Sequence, residues 1–227
     1  MVEKNGAKGH AGLSPRAKGD ETLQKTKSVR WKSGQVISIE TRDGVFVLAQ
    51  MGPSPFLVIF NHFRDSDNDW GTVRLNQASV LFCRPVTRQF LRHSTIRVVT
   101  EVLPLTPVSY PNAWIDGGGE SRRVTLWAGT SDELSFFVIG KGGGRLVHND
   151  ITVPGFKEQP VIMESIPASD IATIEGHELT SIAVYPEFNE RLYLCSRSGC
   201  NVDPDKELLF DQEMPLAYKR FFQIRAG

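Results

Sequence analysis

Three carboxylates alternate in Asp65-x-Asp67-x-Asp69. On a tight loop such spacing can turn every carboxylate inward onto Ca²⁺, which takes about six to eight oxygens. The rest of an EF-hand loop is missing. Trp70 stands where the sharp-turn glycine belongs, and Asn76 stands where the bidentate glutamate belongs. A solvated acidic loop therefore fits this stretch better than a metal site. Asn201-Val202-Asp203-Pro204-Asp205 has the same defect and a proline besides. Cys195 and Cys200 could supply half of a zinc site, but zinc wants four ligands and the third cysteine, Cys83, lies in an apolar run. Gly140-Lys141-Gly142-Gly143-Gly144-Arg145 has the glycines of a phosphate cradle without the Gly-Lys-Ser/Thr ending of a P-loop. There is no Gly-x-Ser-x-Gly elbow, and His62, His93, His148 and His177 are not ordered into a triad by sequence. No cofactor, no metal and no catalytic set is expected.

The elements that must position these residues read as mainly β. Gln35 to Glu40 alternates as a half-buried strand does, Asp43-Gly44 supplies a hairpin turn, and Val45 to Met51 returns. Phe56 to Phe60 is apolar, β-branched and aromatic, as a central strand should be. Short connections predict an antiparallel meander, whose twist favours a strongly curved sheet or small barrel. Asn61 to Gly71 reads as a polar loop. Ser79 to Cys83 and Ile96 to Val102 read as further strands, with a short helix or turn over Thr87 to His93. Arg123 to Trp127 and Leu134 to Ile139 look like a strand pair; Pro160 to Met163 and Ser181 to Tyr185 are weaker strands. Helices are short and lie mostly in the second half: a brief turn capped by Ser169-Asp170, a helix opened by Pro186, and Met214 to Ile224. The class is α+β with β dominant. Residues 1–28 are expected to be a disordered basic tail, having little to bury, and residues 29–227 a single β-rich domain or two halves joined near the Pro- and Gly-rich stretch 104–120.

The chain has 227 residues, 26 basic and 26 acidic, so it carries no net charge. That weighs against a nucleic-acid-coating protein. Residues 1–30 hold seven basic and three acidic side chains, which leaves +4 on this stretch and −4 on the rest. No apolar run marks a signal peptide or a transmembrane helix, and three cysteines in such a chain read as reduced thiols. The expected compartment is the cytoplasm. Trp70 and Trp114 lie in polar or Pro/Gly-rich stretches beside acids: Asp65, Asp67 and Asp69 near the first, Asp116 and Glu120 near the second. An aromatic anchor with flanking charges is how a protein-binding patch works; the same tryptophans can equally fold back over a core.

Trp31-Lys32-Ser33-Gly34-Gln35-Val36-Ile37-Ser38-Ile39, the Asp43-Gly44 turn, Val45 to Met51 and Phe56 to Phe63 resemble the start of the immunity protein 26 family of bacterial polymorphic toxin systems. Trp31, Lys32, Gly34, Asp43 and Gly44 carry the match. Gln35 replaces an expected Asp and Ala49 an expected glycine, and the second half matches nothing. The resemblance implies a cytoplasmic immunity protein. Such a protein binds and neutralises a cognate toxin, often a nuclease, delivered by contact-dependent inhibition or type VI secretion. The acidic body would complement a basic active-site cleft and speed association. Asp65, Asp67, Asp69, Trp70, Trp114, Asp116 and Glu120 are the expected toxin interface, with no membrane or nucleic acid as partner. Two other classes stay open: a hydrolase, metal-dependent or not, and a nucleic-acid module working through the basic tail.

Overall fold

The protein is described here by a computed structural model covering residues 29–119, 121–131, 133–153 and 159–226. The basic tail and Glu120 lie outside the described residues. β1 (Val36–Glu40), β2 (Phe46–Met51), β3 (Phe56–Arg64), β4 (Val80–Pro85) and β5 (Ile96–Val98) form an antiparallel sheet in the order β4-β3-β2-β1-β5. The expected hairpin joins β1 to β2: Asp43 and Gly44 take φ of 54° and 74°, the left-handed conformation that Asp-Gly tolerates best. The sheet is open, with β4 and β5 as its edges.

β1 departs from a half-buried strand. Val36, Ile37, Ser38 and Ile39 are all buried, because the sheet is covered on both sides. On one face Ile37, Ile39, Val47, Ala49, Leu57 and Ile59 pack against Phe188, Leu192 and Phe221 of two helices. On the other, Val36, Leu48, Val58 and Phe60 pack against Trp70, Trp114 and Val147. Consecutive residues thus feed opposite cores, as the two-residue period of a strand requires. Burying each valine, leucine, isoleucine or phenylalanine among them contributes about 1.5–3 kcal/mol. β3 continues to Arg64, into the stretch expected to be loop, since Phe46 of β2 pairs with Arg64.

β6 (Ala113–Gly117), β9 (Gly144–His148) and β10 (Val161–Met163) form a second antiparallel sheet, and β7 (Ser121–Leu126) with β8 (Leu134–Ile139) a separate hairpin. Ser181 to Tyr185 does not form the expected strand. It belongs to a strap over residues 178–185 that makes one parallel bridge to each large sheet: Leu179 to Ile115, and Ala183 to Val86 beyond β4. The helices are short: α1 (Arg88–His93), α2 (Ile171–Gly176), α3 (Glu187–Ser198), α4 (Pro204–Leu209) and α5 (Lys219–Ala226). Their ends follow local chemistry. Thr87 and Asp170 accept from backbone amides as N-caps of α1 and α2, Pro186 precedes α3, and Gly199 ends it at φ 72°. The molecule is mainly β, with several antiparallel sheets and a few short helices. None of the described helices is long and apolar enough to cross a membrane.

Candidate functional site

The acidic loop does not gather its carboxylates. Asp65 and Asp69 are exposed. Asp67 turns inward, accepting from the Trp70 indole at 2.9 Å and from Arg97 at 2.6 Å. Burial alone would push its carboxyl up, but these donors bring it below the ordinary aspartate value. Trp70 is 0% and Trp114 1% exposed; the Trp114 indole donates to the Asn149 carbonyl at 3.1 Å. Both tryptophans have folded back into the core, so neither presents its ring to a partner. Asp116 is half-buried and bonded to Arg145 at 2.9 Å. The structure therefore places the described members of the expected interface on the loop after β3 and on β6, with both tryptophans inside. Among the described residues, no three His, Cys, Asp or Glu side chains converge as a metal site would. The amides of Gly142 and Gly143 are committed to the Leu209 carbonyl, which removes the donors a phosphate cradle needs. Cys83 and Cys195 are buried and Cys200 is exposed, all free thiols; burial pushes Cys83 up to about 12 and Cys195 up to about 11.

The densest chemistry lies elsewhere. Eight buried ionisable side chains meet where the strap, β4, α3, α4 and α5 pack together. Glu178 of the strap accepts from Arg191 of α3 at 2.9 Å and from Asn201 at 2.8 Å, with Arg84 of β4 at 3.4 Å and Lys206 of α4 at 4.0 Å. Asp203, the N-cap of α4, lies 3.1 Å from Arg191 and 3.5 Å from Arg84. Beside them Arg225 of α5 joins Glu187 of α3 at 2.6 Å and Asp205 of α4 at 2.5 Å. Four cations balance four carboxylates. Lys206 also donates to the carbonyls of Ile174 and His177 at 2.9 and 3.0 Å, holding the end of α2.

The two halves of this cluster are electrostatically unlike. Burial works to raise Glu178, but Arg191, Lys206 and Arg84 outweigh it and hold the carboxyl down at about 2. Burial raises Glu187, and Arg225 offsets it only in part. Asp205 is raised likewise by burial, with Arg225 opposing and the charge of Asp203 adding. Perturbed carboxyls in a cavity are a mark of functional sites as well as of structural ion networks.

A cavity of about 30 Å³ opens here, room for about two waters. Its walls include Arg84, Glu187, Asp205 and Arg225, and β8 and the strap run past it with Phe137, 69% exposed, and Ile182, 55% exposed. Two donors on the wall, Arg84 Nε and Arg225 Nη1, are buried and have no hydrogen-bond acceptor. The β7–β8 hairpin roofs the site. Val124, Leu126 and Val138 form its inner face with Phe136 and Ile224, leaving Phe137 and its cross-strand neighbour Arg123 outward. At the hairpin tip Trp127, at φ 49°, stacks on Tyr185 with centroids 5.8 Å apart and lies tilted against His93 at 5.3 Å. Wider clefts of about 300 Å³ beside β4 and 250 Å³ around Arg42 and Glu190 show no such unsatisfied donor among their lining groups.

Sequence reasoning passed over Arg84, Glu178, Glu187, Asp203, Asp205 and Arg225. Apart from the Asp203/Asp205 pair, dismissed as a calcium loop, each reads as an ordinary surface charge. One signal was present: Glu187 and Arg191 fall one helical turn apart, on one face of a helix whose start Pro186 marks.

Residues 26–214 match a family described as a domain of unknown function, DUF8309. The match takes in both sheets, the hairpin, the strap and α1 to α4, and ends before Arg225. Neither a curated protein nor a solved structure matches the chain.

Proposed function

The chain belongs to the DUF8309 domain family, and we propose that it acts there as an immunity protein, binding a toxin effector in the cytoplasm and neutralising it so that the producing cell survives. The observation that carries this reading is the pair Phe137 and Ile182, large apolar groups left largely exposed on the β7–β8 hairpin and the neighbouring strap. Neighbouring large apolar groups left in solvent mark a surface that a partner covers. The resemblance to the immunity protein 26 family adds to it. The Trp31 indole donates to the Gly52 carbonyl at 3.1 Å, the Gly34 amide to the Met51 carbonyl at 2.7 Å, and Asp43-Gly44 closes the β1–β2 hairpin. The resembling residues thus share one structural task, fastening the start of the domain onto β2. Within the meander the pairing register shifts between Val47 and Ala49 and between Ile59 and Phe60.

The binding face in this reading moves from the tryptophan loops to the β7–β8 hairpin and strap. Asp65 and Asp69 remain exposed and contribute attraction at a distance toward a basic toxin such as a nuclease. The test is protection. Cells expressing a polymorphic toxin domain encoded beside this chain are grown with the wild type or with Phe137→Ala/Ile182→Ala. Survival with the wild type, in a one-to-one complex, and loss of survival with the double variant are expected. Death in the presence of the wild type would overturn the reading.

A hydrolytic reading has one observation in its favour, the raised carboxyls of Glu187 and Asp205 sharing Arg225. A cavity of about 30 Å³ is too small for a substrate while the hairpin covers it. Hydrolysis by the wild type that Glu187→Gln abolishes would favour this reading over immunity.

A further inference from the structure

The five-stranded sheet ends in two unlike edges. β5 is three residues long and carries Arg97, held between Asp67 and Glu101. Short strands and charges are how an edge is kept from pairing. β4 is the other edge, and the strap pairs with only part of it. The Ala183 amide donates to the Pro85 carbonyl and the Thr87 amide to the Ala183 carbonyl, while the Val86 amide turns the opposite way, to the Pro55 carbonyl. Cys83 lies two residues before Pro85, and the two pair with Val58 and Phe56 in one unbroken register. Strand alternation therefore aims the Cys83 amide and carbonyl away from β3, toward the side the strap takes at Pro85. The strap does not reach them. It leaves β4 for β6, where Glu178 and Thr180 bond Ile115. Among the described residues the Cys83 amide and carbonyl have no partner on that side.

What lies beside them is the cleft of about 300 Å³, at the lower end of ligand pockets, about 300–1,000 Å³. Val80 to Cys83 line it in succession, with Ser109 to Pro111 also on its walls, and the Gln77 side chain fixes the Ser109 main chain at 3.1 and 3.3 Å. No buried side-chain nitrogen or oxygen among its described lining residues lacks a partner; what the cleft offers is main chain. Its charged side chains are Glu175 and Glu178. Glu178 is matched by Arg191, Arg84 and Lys206, but Glu175 is exposed and meets no cation among the described residues.

We infer that the free edge of β4 is a docking site for an extended, basic segment of a partner protein. The segment adds a strand beside Cys83, exchanges main-chain hydrogen bonds with it and sets a cationic side chain against Glu175. In this mode the main chain supplies affinity and the side chains selectivity. The cleft shares no lining residue with the cavity under the hairpin, so the inference does not depend on the immunity reading.

The test follows the Cys83 amide of the full ¹⁵N-labelled chain by NMR. The probes are a capped Thr-Val-Lys-Val-Thr peptide, the same peptide with Glu in place of Lys, and the Lys peptide with every amide N-methylated. A saturable shift of the Cys83 amide, with its hydrogen exchange slowed, is expected with the Lys peptide and is absent with the methylated one. The Glu peptide should bind about fivefold more weakly, the worth of an exposed ion pair. Glu175→Gln, at an exposed position, should remove that difference and leave the slowed exchange. No saturable shift at Cys83, undiminished binding of the methylated peptide, or equal binding of the Lys and Glu peptides would each overturn the inference. So would a Cys83 amide that shifts with protein concentration alone, which makes the occupant a second copy. A shift on deletion of residues 1–28 would overturn it too, making the occupant the chain's own basic tail.

Discussion

Glu178 and Glu187 are both buried carboxylates, and their surroundings push them in opposite directions. Glu178 faces three cations and is held at about 2 against an ordinary value of 4.5. Its contribution to stability is therefore complete above pH 4.5 and is lost as the pH falls through about 2. Glu187 is raised, so its ionised form costs stability at neutral pH, and that cost disappears as acid protonates it. Two substitutions separate the cases. Glu178→Gln leaves Arg84, Arg191 and Lys206 short of a countercharge and should cost about 3–5 kcal/mol at neutral pH, read from urea unfolding, with the deficit shrinking toward pH 2. Glu187→Gln imitates the protonated form and keeps an oxygen for Arg225. It should be neutral to stabilising at pH 7, and the difference from wild type should vanish below the ordinary carboxylate range. A large loss at pH 7 would show instead that Glu187 works as the ionised partner of Arg225. Little of this was legible in the sequence. Residues 84, 178, 187, 203 and 225 are scattered, and what makes them a site is burial, which depends on how five elements pack. The loop acids and tryptophans were conspicuous for their spacing, yet an indole N–H within reach of Asp67 and of the Asn149 carbonyl lets each ring go inside with its polar edge satisfied.

At the scale of elements, the β7–β8 hairpin stands apart from both larger sheets and is entered and left through glycines. Gly117, Gly118 and Gly119 precede it, and Gly140 and Gly142 to Gly144 follow. The two legs cross backbone to backbone: a Cβ on Gly119 would fall on the carbonyl oxygens of Gly140 and Lys141, and one on Gly142 on the Gly119 Cα. Gly119→Ala should therefore force the legs apart and loosen the roof of the cavity. Amide hydrogen exchange is the measurement. Protection in Val124 to Leu126 and Phe136 to Val138 should fall while that of β1 to β4 stays as in the wild type; unchanged protection in the hairpin would show that the legs adjust freely. The same glycines explain which elements could be read beforehand. β1 to β3 announce themselves through apolar, β-branched runs and an Asp-Gly turn. β6 and β9 do not, since one ends in Gly117 within the stretch that looked like a linker and the other begins at Gly144. They are strands because they pair with each other from Ala113–His148 to Gly117–Gly144, a non-local fact that overrides weak local preference.

The whole molecule turns on whether the two sheets are independent bodies joined near 104–120. Three features tie them. Trp114 of β6 and Val147 of β9 are buried in one core with Val36, Leu48, Val58 and Phe60 of the five-stranded sheet, and the Trp114 ring lies 5.6 Å from that of Phe56. The strap bridges to Ile115 on one side and Val86 on the other. Glu178, at the start of that strap, bonds Arg84 of the first sheet and Arg191 of the helix lying on it. An unfolding event confined to one sheet would expose half of a shared core and leave buried charges without partners, so it saves little of the cost of unfolding everything. Urea unfolding should therefore follow one transition, with tryptophan fluorescence and far-ultraviolet circular dichroism coincident. Trp114→Ala, which empties the shared core, should lower stability by about 3–5 kcal/mol and move both signals together. If the variant shifts only the fluorescence transition, the sheets unfold separately, and the strap that bridges them is a joint rather than a tie.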